Sequence, residues 1–233
     1  LYIFGGKIMK KVLRIVVLMA IGIFLTVLLT AQTTTTSQTT SQKKAKTIRI
    51  STDYVEQKGD QIYYKGKVFA NIEEEKTTIK TSEMYVKKVG DKWQVVEVPV
   101  KADFSFDGGT AVADKMTYDI EQRTGTLINS VVNMVDSKSK ENITIVSDTL
   151  DFNLESDVYT GTKKGGVNIT KGSIFVVADR FEYYKKSGEL RLFGSVVIND
   201  NKNKIKMTAS DAIVYTEKNE VKANNVNIEM TVE

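Results

Sequence analysis

The sequence has no cysteine and no histidine, a single proline (Pro99) and a single tryptophan (Trp93). Without cysteine there is no disulfide, no thiolate nucleophile and no thiolate metal ligand. Without histidine, Ser-His-Asp and Cys-His catalysis and imidazole metal sites are excluded. An excess of one charge is also missing from most of the chain. The formal charge of +4 invites a nucleic-acid reading. Yet Lys7, Lys10, Lys11 and Arg14 all precede Gln32, in a stretch with no acid, and the remainder balances at 29 basic against 29 acidic residues. A body with no net charge has no electrostatic footprint for a phosphate backbone, so no nucleic-acid partner is expected.

What is present begins with an export pattern. Met9-Lys10-Lys11 opens a basic head, residues 15–29 form an uncharged apolar run, and Leu29-Thr30-Ala31 closes it with a small residue. Head, run and small-residue site read as a secretory signal peptide, with Met9 as the start of translation. Fifteen apolar residues are long for a signal and slightly short of the about 20 that a spanning helix prefers. Cleavage after Ala31 and an uncleaved single anchor therefore both stand. Either way the basic head stays inside and the rest of the chain is exported. A periplasmic location follows, tethered to the inner membrane if the hydrophobic helix is retained. Residues 32–42 are almost pure Thr, Ser and Gln, with nothing to bury, and read as a disordered tether. The expected organisation is a signal or anchor over 1–31, a linker over 32–45 and one folded body over 46–233.

In that body no stretch carries the 3.6-residue period of a helix. Alternation rich in Val, Ile, Thr, Tyr and Phe recurs instead, broken by Gly, Asn, Asp and Lys clusters. Phe175, Val177, Phe181 and Tyr183 share one parity, as do Leu190, Leu192, Val196 and Ile198 beyond the turn at Lys185-Lys186-Ser187-Gly188. That is a hairpin with one apolar face. It repeats: acids at Asp53, Glu83, Asp114, Asp148, Asp179 and Asp211 are spaced by 30, 31, 34, 31 and 32 residues. In the last four copies, apolar or aromatic residues follow at +2 and +4: Met116/Tyr118, Leu150/Phe152, Phe181/Tyr183 and Ile213/Tyr215. A glycine precedes a valine by two or fewer positions in Gly66-Lys67-Val68, Gly165-Gly166-Val167 and Gly194-Ser195-Val196. A period near 30 with two strands per unit predicts stacked hairpins rather than a helical solenoid. Since an unpaired buried carboxylate is costly, the repeated acid reads as a strand corner or bulge that accepts backbone N–H groups. The glycine reads as a bend or close strand approach. The unit around Trp93 to Pro99 is degenerate.

The segment Thr47-Ile48-Arg49-Ile50-Ser51-Thr52-Asp53, running into Gly59 to Val68, resembles the opening of the OstA-like family of periplasmic proteins, that of lipopolysaccharide transport protein A. Val177-Ala178-Asp179-Arg180-Phe181-Glu182-Tyr183, followed by Gly188 to Ile198, repeats the same signature. The resemblance covers most of residues 46–233. It implies an all-β fold, an antiparallel β-jelly roll shaped like a taco. It further implies carriage of lipopolysaccharide or a related envelope glycolipid from inner to outer membrane, with acyl chains between the sheets. Implied partners are other jelly rolls of the export bridge, including copies of itself head to tail. An inner-membrane ATP-driven (ABC) lipid extractor and an outer-membrane barrel are implied indirectly. No cofactor is implied. The apolar leader and Thr-rich tether depart from the soluble member, so both the soluble-bridge and the anchored role stay open.

The candidate lining of a lipid trough is Ile62, Tyr64, Val68, Ile72, Met116, Leu150, Phe152, Phe181, Tyr183, Leu192, Val196, Ile213 and Tyr215. The same apolar parity equally describes a closed core. In that case the chain would be a ligand-free structural β-repeat protein of the envelope. Two strand edges are candidates for end-to-end joining by main-chain hydrogen bonds. One carries Ile48 and Ile50, the other Val226 and Ile228. A carboxylate enzyme such as a glycosidase needs two acids across a cleft. The even charge spread and the lack of an acid-rich motif argue against an enzyme.

Overall fold

The computed structural model describes residues 46–136, 139–218 and 220–231. The expected leader, its helix and the tether lie outside the described residues. Sixteen antiparallel strands follow one another: β1 (Ile48–Ser51), β2 (Tyr54–Lys58), β3 (Gln61–Ile72), β4 (Thr77–Val89), β5 (Lys92–Val98), β6 (Ala102–Phe106), β7 (Gly109–Ala113), β8 (Lys115–Asp119), β9 (Thr124–Val135), β10 (Asn142–Asn153), β11 (Val158–Lys171), β12 (Ile174–Tyr184), β13 (Glu189–Asp200), β14 (Ile205–Tyr215), β15 (Glu220–Asn224) and β16 (Asn227–Met230). A single 3₁₀ turn at Glu73–Glu75 is the one helical element among the described residues.

All strands belong to one sheet, and each long strand pairs with its sequence neighbours. The pairing breaks near the middle of nearly every ladder. Register shifts fall between Lys65 and Val68, Val146 and Thr149, Thr162 and Val167, Val177 and Arg180, and Phe193 and Val196. Elsewhere the same break is complete. Residues 52–53 separate β1 from β2, Asp114 separates β7 from β8, and Pro99, which has no N–H to offer a ladder, stands between β5 and β6. The degenerate unit is thus a long strand cut in two. An interruption at matching height in successive strands bends the whole sheet along one line.

The bend divides the sheet into two facing walls. Wall 1 contains β1, β6, β7 and β16, with residues 68–72, 77–81, 130–135, 143–146, 167–171, 174–177, 196–200 and 205–209 of the long strands. Wall 2 contains β2, β5, β8 and β15, with the other halves. The walls meet through their side chains. Phe104 of wall 1 packs against Tyr118 and Phe152 of wall 2, with ring centroids 6.0 and 5.4 Å apart. Phe106 reaches Tyr159, whose ring lies 6.3 Å from that of Tyr183. One continuous apolar core lies between the walls.

Crossing the bend switches parity in β4, β9, β10, β12 and β14 and keeps it in β3, β11 and β13. Along β12, Val176 and Ala178 are buried before it, and Phe181 and Tyr183 after it. Phe175 and Val177 therefore do not share a face with Phe181 and Tyr183, as strict alternation predicted. The extra bulge residue has exchanged the faces. In β13, Leu190, Leu192, Val196 and Ile198 do share the interior, and the turn falls at residues 185–188.

Four of the six repeated acids, Asp53, Asp114, Asp148 and Asp179, sit on the bend with the glycines. Asp53 accepts the Lys67 N–H at 3.1 Å, and Asp148 accepts the Lys164 N–H at 2.8 Å. Gly66 has φ +104°, and a Cβ there would fall 2.5 Å from the Asp53 carboxylate. Gly194, φ +69°, would collide in the same way with Asp179. Acid and glycine are two halves of one bend: the glycine takes the left-handed backbone and vacates the space the carboxylate fills.

Candidate functional site

Between the walls, the middle of the molecule is filled and the C-terminal end is not. Phe104, Phe106, Tyr118, Phe152 and Tyr159 close the middle as a buried aromatic cluster. Beyond it a cavity of about 450 Å³ opens between the walls. That size falls in the roughly 300–1,000 Å³ range of ligand pockets. Wall 1 lines it with Ile143, Ile145, Ile169, Ile174, Val176, Ile198, Ile205 and Met207. Wall 2 adds Tyr183, Leu190, Val214 and Val221. The polar lining comes mostly from strand ends and turns at the rim: Glu141, Lys171, Ser173, Asp200, Lys202, Asn203 and Thr216. An apolar floor under a polar rim suits an amphiphile.

Two polar contacts join the walls along the rim opposite the bend. Lys171, at the end of β11, is buried; its ammonium donates to the Thr216 carbonyl at 2.6 Å and to Asp136 at 3.2 Å. Further toward the N-terminus, the Glu75 carboxylate accepts from Tyr118 Oη and Lys46 Nζ, with Arg123 Nε 3.5 Å away. Burial and the Glu75 contact push the Tyr118 hydroxyl far above its usual pKa, so it stays a proton donor. Burial, with the Asp136 carboxylate nearby, pushes Tyr183 up to about 12. The phenol facing the cavity is neutral at any physiological pH.

Of the thirteen candidate lining residues, Val68, Ile72, Met116, Leu150, Phe152, Phe181, Tyr183, Leu192 and Val196 are buried in the interior. Tyr64 packs half-buried against the core, and Ile62 faces the same way opposite Val86 near the N-terminal end. Of the set, Tyr183 alone lines the cavity. Ile213 and Tyr215 face outward, against the expectation. They pair with Arg191 and Glu189, and Tyr215 lies under the ammonium groups of Lys218 and Lys222. The bend of β14 falls at Ser210, one residue before Asp211, so its inward pair is Ala212 and Val214. The same one-residue offset puts Ser82, not Glu83, at the bend of β4, with Met84 and Val86 inward. The missed wall 1 residues were visible as Ile143-x-Ile145 and Val167-x-Ile169. The first pair is found once the bend of β10 is treated as a parity switch, and the second keeps the parity of Tyr159 across the bend of β11.

The two candidate edges are edges of the sheet. Among the described residues β1 and β2 pair only with β3, and β15 and β16 only with β14. Ile48 and Ile50 point into the core opposite Ile72 and Ala70. Val226 lies between β15 and β16, while Ile228 faces inward opposite Met207 yet is 53% exposed. Val55 at the other end is 56% exposed and lies opposite Tyr64. Among the described residues both ends of the core are therefore exposed.

No protein-family model matches the chain, and no curated protein does. Among solved structures it is similar to LptH, described as the LptA homologous periplasmic component of the conserved lipopolysaccharide transport device from Pseudomonas aeruginosa. The match covers 80% of this chain and 95% of that one, at 10% identity and a TM-score of 0.22. The all-β, antiparallel architecture stands on this chain's own strand pairing. Among the described residues no group of three or more acidic side chains is placed to hold a metal ion.

Proposed function

We propose that this protein is a non-enzymatic carrier in the cell envelope, holding the acyl chains of lipopolysaccharide or a related glycolipid between its two walls. The observation that carries this reading is the apolar cavity at the C-terminal end, open beside an uncovered stretch of core. Each buried CH₂ contributes about 0.8 kcal/mol, so a 12-carbon chain is worth on the order of 10 kcal/mol before ordering costs. The resemblance of the Ile48 and Asp179 segments to the OstA-like family, and the export pattern ahead of them, support the same reading and a periplasmic site of action. The jelly roll of that family, and joining end to end with proteins of like fold, complete the proposal.

The filled aromatic middle favours a second reading, a ligand-free structural stack. One experiment separates them. Photoreactive side chains at Val176 and Val214, one on each wall of the cavity, should crosslink to the acyl region of lipopolysaccharide in cells. The same group at outward-facing Tyr215 should not. Absence of lipid adducts at both inner positions, or adducts only at Tyr215, rejects the carrier.

A further inference from the structure

The outer faces of the two walls differ in a way that lipid carriage does not explain. On wall 1, cross-strand pairing aligns Val112, Val131, Val146, Asn168, Val177 and Val197 in one row across β7, β9, β10, β11, β12 and β13. All six point away from the core, and Val112 and Val131 are 37% and 40% exposed. The next outward row, two residues along each strand, holds only Thr, Asn and Phe175. Across six adjacent strands these two rows contain no charge, in a chain with 27% charged residues. A row across wall 2 carries Asp151, Thr160, Glu182 and Arg191 on β10, β11, β12 and β13.

Charges return at the two flanks of the neutral area. Asp103 on β6 continues the valine row on one side, and Lys206 on β14 continues the second row on the other. Six strands at about 4.8 Å spacing, with two to three outward residues each, give an area of roughly 25 by 14 to 20 Å. Two such faces together bury roughly 700 to 1,000 Å², the size of a weak, transient interface. The face carries no lysine or arginine and one aromatic ring, which fits neither an anionic bilayer nor a membrane interface.

We propose that this face pairs with the same face of a second copy, sheet against sheet. A two-fold axis running along the strands between β10 and β11 sets valine row against valine row. It also brings Asp103 of each copy toward Lys206 of the other, so the flanks are complementary where the centre is neutral. An uncharged centre can meet its own image without like-charge repulsion, which the charged outer face of wall 2 cannot. The contact leaves both strand edges and the cavity free and does not depend on lipid carriage.

The chain's lack of cysteine makes a background-free test. Full-length chain carrying Val146→Cys or Asn168→Cys, treated in cells with a short bismaleimide, should give a covalent homodimer. Thr160→Cys, on the outer face of wall 2, should not. Adding Val131→Lys and Val177→Lys to the Val146→Cys chain should reduce the dimer at least ten-fold, since four lysines would then face one another. Adding Ile228→Lys at the C-terminal edge should leave it unchanged, which separates this contact from end-to-end joining. The proposal is overturned by no dimer at either position, by equal dimer at Thr160→Cys, by a dimer that survives the lysines, by one lost with Ile228→Lys, or by an adduct to a different protein.

Discussion

Asp148 shows what a single side chain does at a bend. Its carboxylate accepts the N–H of Lys164 at 2.8 Å and the ammonium of Lys163 at 2.9 Å. Chiefly through the first, its pKa is held below the ordinary 3.8. A carboxyl lowered in the folded state contributes its full stabilisation above the unfolded pKa, and loses it as pH falls through the folded value. Denaturant midpoints of the native chain and Asp148→Asn should therefore differ near pH 7 and converge below about pH 4, the usual aspartate range. A constant difference down to pH 2 would show that ionisation of this group is not what stabilises the bend. The carboxylate's role in accepting N–H groups was legible from its period and apolar neighbours. Its exact position was legible only in part, because in β4 and β14 the bend falls at Ser82 and Ser210, and the acids beside them drew the register one residue too far.

At the scale of the strand, the bend decides which side chains meet. Alternation identified the hairpins and the turn at 185–188, because a half-buried strand must alternate. It did not show that alternation reverses within β12 and holds through β13, since the acid and glycine mark where a bend falls but not how many residues it takes up. Gly194 is the element on which β13 turns, with φ +69° and the Asp179 carboxylate over its missing side chain. Gly194→Ala combines left-handed strain with a collision, and should destabilise by about 1–3 kcal/mol. Gly59→Ala, at φ +57° with nothing within 4 Å, should cost no more than about 1–2 kcal/mol of left-handed strain. Urea unfolding of the two variants side by side checks this, and equal losses would mean that the carboxylate yields freely.

For the folded body the bend creates an inside whose two ends no described residue seals. The edge strands carry inward apolar residues that no other described residue covers, Val55 at one end and Ile228 and Met230 at the other, the last 66% exposed. Joining one end to the other would pair the free main chain and cover these residues together. A lysine inside that junction would be buried without a partner. Ile228→Lys should then convert long assemblies of the purified chain to the monomer or to the face-to-face dimer. Sedimentation velocity measures this, and an unchanged distribution would remove edge joining from the mechanism.

By itself, the sequence determined the absence of cysteine and histidine chemistry, the neutral body, the hairpin period and the acids that mark its bends. These are local properties, set by composition and by the two-residue repeat of a strand. The filled middle, the open cavity at one end and the outward turn of Ile213 and Tyr215 were decided by the tertiary structure. The reason is physical: an apolar side chain of the right parity is the same whether it meets a partner across the sheet, an empty space or solvent. Only the distance between the two walls distinguishes them.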